Sequence, residues 1–208
     1  MTETDINKYT EHTLFYNKSE VFSQWHPSDY SKDDVKLCCA EQGMMYDKAR
    51  LFNAPETAQK ILDCTPNEQA KMKSLGRKGI PLFDEKVWKK HRKQIVKDNS
   101  LEKYRQNANM RKALFDSKGT LLVEASPYDA IWGIGYNKKD ALVVPKSKWG
   151  ENLLGKILTE VREELLKEFT AETAPHVTPS LIPPIPLDQM PASAKRRWKK
   201  KLALTQAT

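Results

Sequence analysis

Six prolines crowd into a short stretch near the C-terminus: Pro175, Pro179, Pro183, Pro184, Pro186 and Pro191. Proline sustains neither the interior of a helix nor an inner strand, so no packed layer can run through this stretch. Any core in the 208-residue chain must come from about the first 170 residues, which suits one domain and is tight for two. The reading is therefore a domain over 1–170 and a tail over 171–208 that is proline-rich, then basic, and extended or disordered. That tail holds six Lys or Arg against Glu172 and Asp188, about half of the net charge of +8. Its end, KRRWKKKLALTQAT, reads as a solvated tail, a nuclear localisation signal or a nucleic-acid contact, while PPIP is a weak signal for a proline-binding partner.

Several classes drop out early. No run of eighteen apolar residues exists to cross a bilayer, so no membrane role is expected. The opening MTETDINKYTEHT lacks the layout of a secretory or transit signal, which places the protein in the cytoplasm, with the nucleus open if the basic tail is read there. Cys38, Cys39 and Cys64 form neither a disulfide framework nor a zinc spacing and read as reduced core thiols. His12, His26, His91 and His176 are scattered, so neither a metal nor another cofactor is expected.

Periodicity predicts a mostly helical body. Thr13 to Tyr16 reads weakly as a strand, followed by the aromatic-rich loop VFSQWHPSDY. A helix is predicted from about Lys32 to Phe52, with Ser31 as N-cap and Asp33 and Asp34 in its first turn. Shorter helices are predicted near Ala58 to Asp63 and from Asn67 to Leu75, the latter stopped by Gly76. Asp84 caps a helix carrying Val87, Trp88, His91 and Ile95, and a separate helix spans about Leu101 to Phe115. Gly119 turns the chain into the strand TLLVE, to which Val143 and Val144 are candidate partners. Leu154, Leu158, Val161, Leu165 and Phe169 make one apolar stripe on a last helix from about Asn152 to Phe169.

Within AEQGMMYDKARLF, Glu41 and Lys48 sit about 20° apart on a helical projection and share their sector with Leu37, Met44, Met45 and Phe52. Lys36, Gly43, Asp47 and Arg50 gather on the opposite stripe, which reads as the solvent face. An acid and an amine turned inward, about 10 Å apart along the axis, either line a wet pocket or pair separately with other buried charges. On TLLVE, Glu124 ends a half-buried strand where it can enter a cleft. The loop after it, ASPYDAIWGIGYN, brings Asp129 and Trp132, and its Gly133 and Gly135 allow close approach of backbone to a ligand. GIGYN lacks the third glycine of a dinucleotide fingerprint, and GRKG is no P-loop.

Acids, an inward lysine and the indoles of Trp25, Trp88 and Trp132 suit N-glycosidic chemistry, in which carboxylates steady an oxocarbenium ion or activate water and indoles stack on base or sugar. A lysine of lowered pKa can attack the anomeric carbon instead. Arg77 reads as a phosphate contact or a surface salt bridge, just beyond a helix end.

Five segments in order, FSQWHPSDY, AEQGMMYDKARLF, LGRKGIPLFDEKVW, LVEASPYDAIWGIGY and WGENLLGKILTEVREEL, resemble the NADAR (YbiA-like) family from about Tyr9 to Phe169. The resemblance implies a mostly helical α+β fold, a single domain with a small antiparallel sheet, and N-glycosyl hydrolase activity. Its substrates would be riboflavin-pathway intermediates or ADP-ribose attached to guanine. It places Glu41, Lys48, Trp88, Glu124, Asp129 and Trp132 in the catalytic pattern, with a lysine at the place of Lys48 forming a transient Schiff base and acids at the places of Glu41 and Asp129 moving protons. Gln42, Gly43 and Asp47 depart from the residues usual in relatives. The expectation is a hydrolase of N-ribosyl bonds, with catalytic Lys48, Glu41, Asp129 and Glu124 and a substrate pocket shaped by Trp88, Trp132, Trp25, Gly133, Gly135 and Arg77. Rival readings are a module that binds ADP-ribose or another nucleotide without cleaving it, and a function carried by the tail.

Overall fold

The computed structural model describes residues 8–173, the last three as helix backbone only; the rest of the proline-rich and basic tail lies outside the described residues. Strand β1 (Glu11–Phe15) pairs in parallel with β4 (Thr120–Glu124), in the register Glu11 to Thr120 through Phe15 to Glu124. Between them lie the antiparallel hairpin β2 (Tyr30–Lys32) and β3 (Val35–Leu37), then helices α1 (Ala40–Leu51), α2 (Pro55–Leu62), α3 (Gln69–Lys78), α4 (Glu85–Gln106) and α5 (Ala108–Asp116). After β4 come α6 (Lys138–Ala141), a short 3-10 turn (Lys146–Lys148) and α7 (Leu153–Thr173). The fold is α+β and mostly helical; the expected antiparallel pairing holds for β2 and β3, while the strand that carries Glu124 is parallel to its neighbour.

Several predicted boundaries move, each for a local reason. Residues 32–39 do not begin α1. Asp33 and Asp34 instead adopt positive φ (50° and 63°) in the two-residue turn of the hairpin, a conformation that Asp tolerates better than most residues. Gly76 lies inside α3 and not beyond it, because a Cβ there would sit 2.1 Å from the sulfur of Met45; the missing side chain lets α3 close on α1. Arg77 is therefore within the last turn of α3, not past its end. The two helices predicted around residues 84–115 break at Asn107, later than expected, since Asn99 and Ser100 are buried helical residues. Val143 and Val144 follow α6 and do not pair with β4.

The stripe assigned to solvent is also corrected. Gly43 faces α4, and a Cβ on it would fall 2.0 Å from Asn99 Oδ1 and 2.2 Å from the Tyr30 hydroxyl. Asn99 accepts from Tyr30 Oη (2.8 Å) and donates to Asp47 Oδ2 (2.6 Å), so Gly43 and Asp47 belong to a polar seam between α1 and α4. Of that stripe Arg50 is exposed as expected, and so is Lys36, which lies in β3 and not in the helix. Gln42, next to the seam, accepts from the Cys38 amide (2.9 Å) and donates to the carbonyls of Ile61 (2.9 Å) and Cys64 (3.2 Å). It anchors the end of α2.

α1 is the hub, touching α2, α3 and α4. The loop before the hairpin is held to α4 by Lys103, which is 1% exposed and donates to the carbonyls of Val21 (2.8 Å) and Ser23 (3.0 Å). Burial pushes this amine down to about 7. Between pH 7 and its ordinary 10.5 the unfolded chain binds the proton that the folded chain has shed, so the penalty of burying Lys103 is full below pH 7 and fades as pH rises. Thermal unfolding of wild type and Lys103→Met across this range should show wild type gaining on the variant by roughly 1 kcal/mol per pH unit. A pH-independent difference would mean the amine is not strained by burial.

Candidate active site

The edge of β4 that does not face β1 is satisfied by side chains of α7 and the residue before it. Asn152 donates to Leu122 O (3.0 Å) and accepts from the Glu124 amide (3.0 Å), and Thr159 accepts from the Leu122 amide (3.1 Å). These bonds fix the end of the strand and with it Glu124. The following loop is fastened in the same place, because the amides of Gly150, Glu151, Asn152, Leu153 and Leu154 donate to the carbonyls of Ile134, Ala130, Gly133, Ile131 and Trp132. The first turn of α7 thereby finds acceptors for amides that a helix start leaves open.

Inside this loop Asp129 Oδ1 accepts from the amides of Ile131 (2.9 Å) and Trp132 (2.8 Å), which leaves Oδ2 for other partners. Gly133 presses on the protein's own backbone, where a Cβ would lie 2.7 Å from Glu124 O and 2.9 Å from Asp129 O. Gly135 supplies a turn at φ 76°. Both glycines thus shape the loop. Trp132 stacks near the guanidinium of Arg92 (5.7 Å to the ring centroid), and Arg92 reaches Glu151 at 3.7 Å.

Facing the loop, α1 contributes Glu41 (5% exposed) and Lys48 (6% exposed). The Glu41 amide donates to Gln24 O (2.9 Å), so the helix start and the loop bearing Trp25 are bound together. Burial raises the Glu41 carboxyl above its ordinary range; Lys73, a hydrogen bond with Trp25 and Arg77 oppose this, and Asp129 adds to it. Glu124 is pushed up to about 8, first by burial, then by the charges of Asp129 and Glu41. The three carboxyl groups from α1, β4 and the loop thus feel one another. Lys48 lies 4.4 Å from the ring centroid of Phe83 and 4.9 Å from that of Trp88, with no carboxylate ion-paired to it among the described residues. Burial lowers its pKa; Glu85 and Glu41 raise it and Arg77 lowers it further.

The structure therefore gathers Glu41, Lys48, Trp88, Glu124, Asp129 and Trp25, with Trp132 on the fastened loop. Arg77 is exposed yet acts on both Glu41 and Lys48. Sequence reasoning missed three neighbours. Phe83 stacks on the Lys48 amine, and its exposed apolar position in GRKGIPLF gave no signal. Lys73 acts on Glu41 and Glu124 from α3, and its i,i+4 spacing to Arg77 was readable. Gln24 is buried beside Glu41 with neither amide atom bonded within the protein, as is Glu41 Oε1. Among the described residues no cluster of His, Cys, Asp or Glu is placed to hold a metal ion.

Fold and locus define an α+β domain that surrounds a buried, unpaired amine with acids and flat rings. The chain belongs to the NADAR domain family, whose model matches residues 10–166. It is 39% identical over 150 residues to an N-glycosidase of Acanthamoeba polyphaga mimivirus, covering 69% of this chain and 86% of that protein. It is 39% identical over 168 residues to the protein irg-1 of Caenorhabditis elegans, covering 73% and 78%. The NMR structure of the E. coli protein YbiA superposes with a TM-score of 0.61 at 26% identity, covering 78% of this chain and 89% of the other.

Proposed function

We propose that the protein is a hydrolase of N-glycosyl bonds that releases a base from an ADP-ribosylated or phosphoribosylated substrate. One observation carries the reading: a buried lysine amine without an ion-pair partner among the described residues, its pKa lowered, within electrostatic reach of Glu41, whose carboxyl is raised and acts in turn on the raised carboxyl of Glu124. A relative that is 39% identical over 150 residues is named an N-glycosidase, which supports the same chemistry.

In this reading the neutral Lys48 Nζ bonds to the anomeric carbon as the glycosidic C–N bond breaks, and the departing base takes a proton from Glu124. The new ammonium gives a proton to Glu41 or Asp129, the ring oxygen takes one as its bond to the anomeric carbon opens, and an iminium remains. Water adds to that carbon, loses a proton to a carboxylate, and the amine leaves with a proton, freeing the ribosyl group. Trp88 and Trp132 border the base or ribose.

The test offers purified protein both ADP-ribosylated guanine and a phosphoribosylated intermediate of riboflavin synthesis, and weighs the free base by mass spectrometry. Base release from either is expected. Tight binding with no release from either, at high protein concentration, would replace the hydrolase with a binding module.

A further inference from the structure

Thiols and a thioether meet where the chain enters α1. Cys39 and Cys64 are buried with Met72, and Cys38 packs against them half-buried, so it is the thiol that solvent reaches. Cys38 and Cys64 are separated in sequence by α1 and α2, yet one side chain joins their backbones. Gln42 accepts from the Cys38 amide (2.9 Å) and donates to the Cys64 carbonyl (3.2 Å), which leaves the two main chains the width of a single carboxamide apart. Burial pushes the Cys64 thiol up; Lys71 opposes this, and Glu68 and the Cys38 thiolate add to it, so the two sulfurs feel each other.

Cys38 is the more reactive of the two. A hydrogen bond from the Cys39 thiol holds it below the ordinary thiol range, against its own partial burial and the charge of Asp29. It also stands one residue before Cys39, the N-cap of α1, and a helix start favours a thiolate. The thiolate is the form that attacks a peroxide. Cys39 is the poorer partner for it. Consecutive Cα atoms are about 3.8 Å apart, short of the roughly 4.4–6.8 Å that a disulfide spans. A bridge between these neighbours would also draw Cys39 out of the extended backbone (φ −167°, ψ 161°) from which α1 starts, and away from Met72, whose sulfur lies 3.8 Å from its own.

We propose that Cys38 and Cys64 are a peroxide-oxidised pair that closes a disulfide between the entry to α1 and the chain just past α2. The Cys38 thiolate attacks one oxygen of hydrogen peroxide, the O–O bond breaks, and the hydroxide released takes a proton to become water, which leaves Cys38 as a sulfenic acid. The Cys64 thiol then gives up its proton as its sulfur bonds to that of Cys38, whose hydroxyl departs as a second water. Two thiols have lost two electrons and two protons, and the peroxide has become two waters. The bridge makes covalent the junction that Gln42 makes by hydrogen bonds, and it is independent of the N-ribosyl reading.

The test treats the reduced full-length chain with hydrogen peroxide, blocks the remaining thiols with N-ethylmaleimide in denaturant, and maps the peptides by mass. The expected result is a chain lighter by two hydrogens before blocking, a blocked thiol at Cys39 alone, and a peptide pair linked through Cys38 and Cys64 that dithiothreitol separates. Cys64→Ser should give no link and leave Cys38 as a sulfenic acid that dimedone captures. Cys38→Ser should slow oxidation of Cys64 by about tenfold or more, since a buried thiol without a lowered pKa reacts poorly. All thiols blocked, at a dose that fully oxidises free glutathione, would overturn the pair. So would a link between Cys38 and Cys39, a link only between two chains, or undiminished oxidation of Cys64 in Cys38→Ser. The wild-type map decides by itself, whether or not a variant folds.

Discussion

Replacing Lys48 with Met lowers kcat/KM by about 10⁴-fold, the scale seen when a nucleophile is removed from an otherwise intact site. Folding should not suffer. The amine has no ion-pair partner to orphan, and the thioether can occupy the space between Phe83 and Trp88. Because burial lowers the pKa of Lys48, its charged form is a burden on the folded state at neutral pH, so the melting temperature of the variant stays level or rises. Borohydride added during turnover should fix a ribosyl group on Lys48 in wild type, visible as a mass increase on its peptide, and on nothing in the variant. Turnover by the variant within about tenfold of wild type would remove the covalent route and leave direct attack by water.

Glu124→Gln should lower kcat/KM by about 10²- to 10⁴-fold, the usual worth of a general acid. It should also erase a feature of the pH profile. With its carboxyl pushed up to about 8, wild-type Glu124 holds its proton at neutral pH and loses it above, so activity declines on the alkaline side of pH 8. Gln cannot ionise, and the residual activity of the variant should lack that decline. Stability gives an independent readout. Between the ordinary 4.5 and about 8 the folded chain keeps a proton that the unfolded chain releases, so wild type loses stability relative to the variant as pH rises through this window. Parallel pH curves for the two proteins would place the acid elsewhere, with Glu41 the next to test.

The strongest periodic signals in the sequence survive in the fold. The stripe Leu154, Leu158, Val161 and Leu165 is buried as expected, Asp84 caps α4 through the amides of Lys86 and Val87, and Gly119 at φ 91° precedes β4. Failures occur where tertiary contact outweighs local preference. SKDDVKL has the acids of a helix start, yet a hairpin pairing claims it; Gly76 looks like a stop signal, yet a neighbouring methionine needs the space. The angular projection placed Glu41 and Lys48 correctly on the inner side, because two residues seven apart on one helix must share a face. It misjudged Gly43 and Asp47, since a polar stripe can face another helix when a residue such as Asn99 satisfies it. Partners drawn from distant segments, such as Phe83 and Gln24, were beyond reach: no local pattern shows which loop closes over which helix.

The five main-chain bonds that fasten the loop to the start of α7 have a consequence for how such a domain can diversify. They involve no side chains, so exchange of the outward-facing loop residues leaves them in place, while Gly133 and Gly135 must stay. Tyr128 and Ile131 project outward beside them, 90% and 44% exposed. A descendant protein can exchange these two while the seat of Glu124 and Asp129 is inherited unchanged.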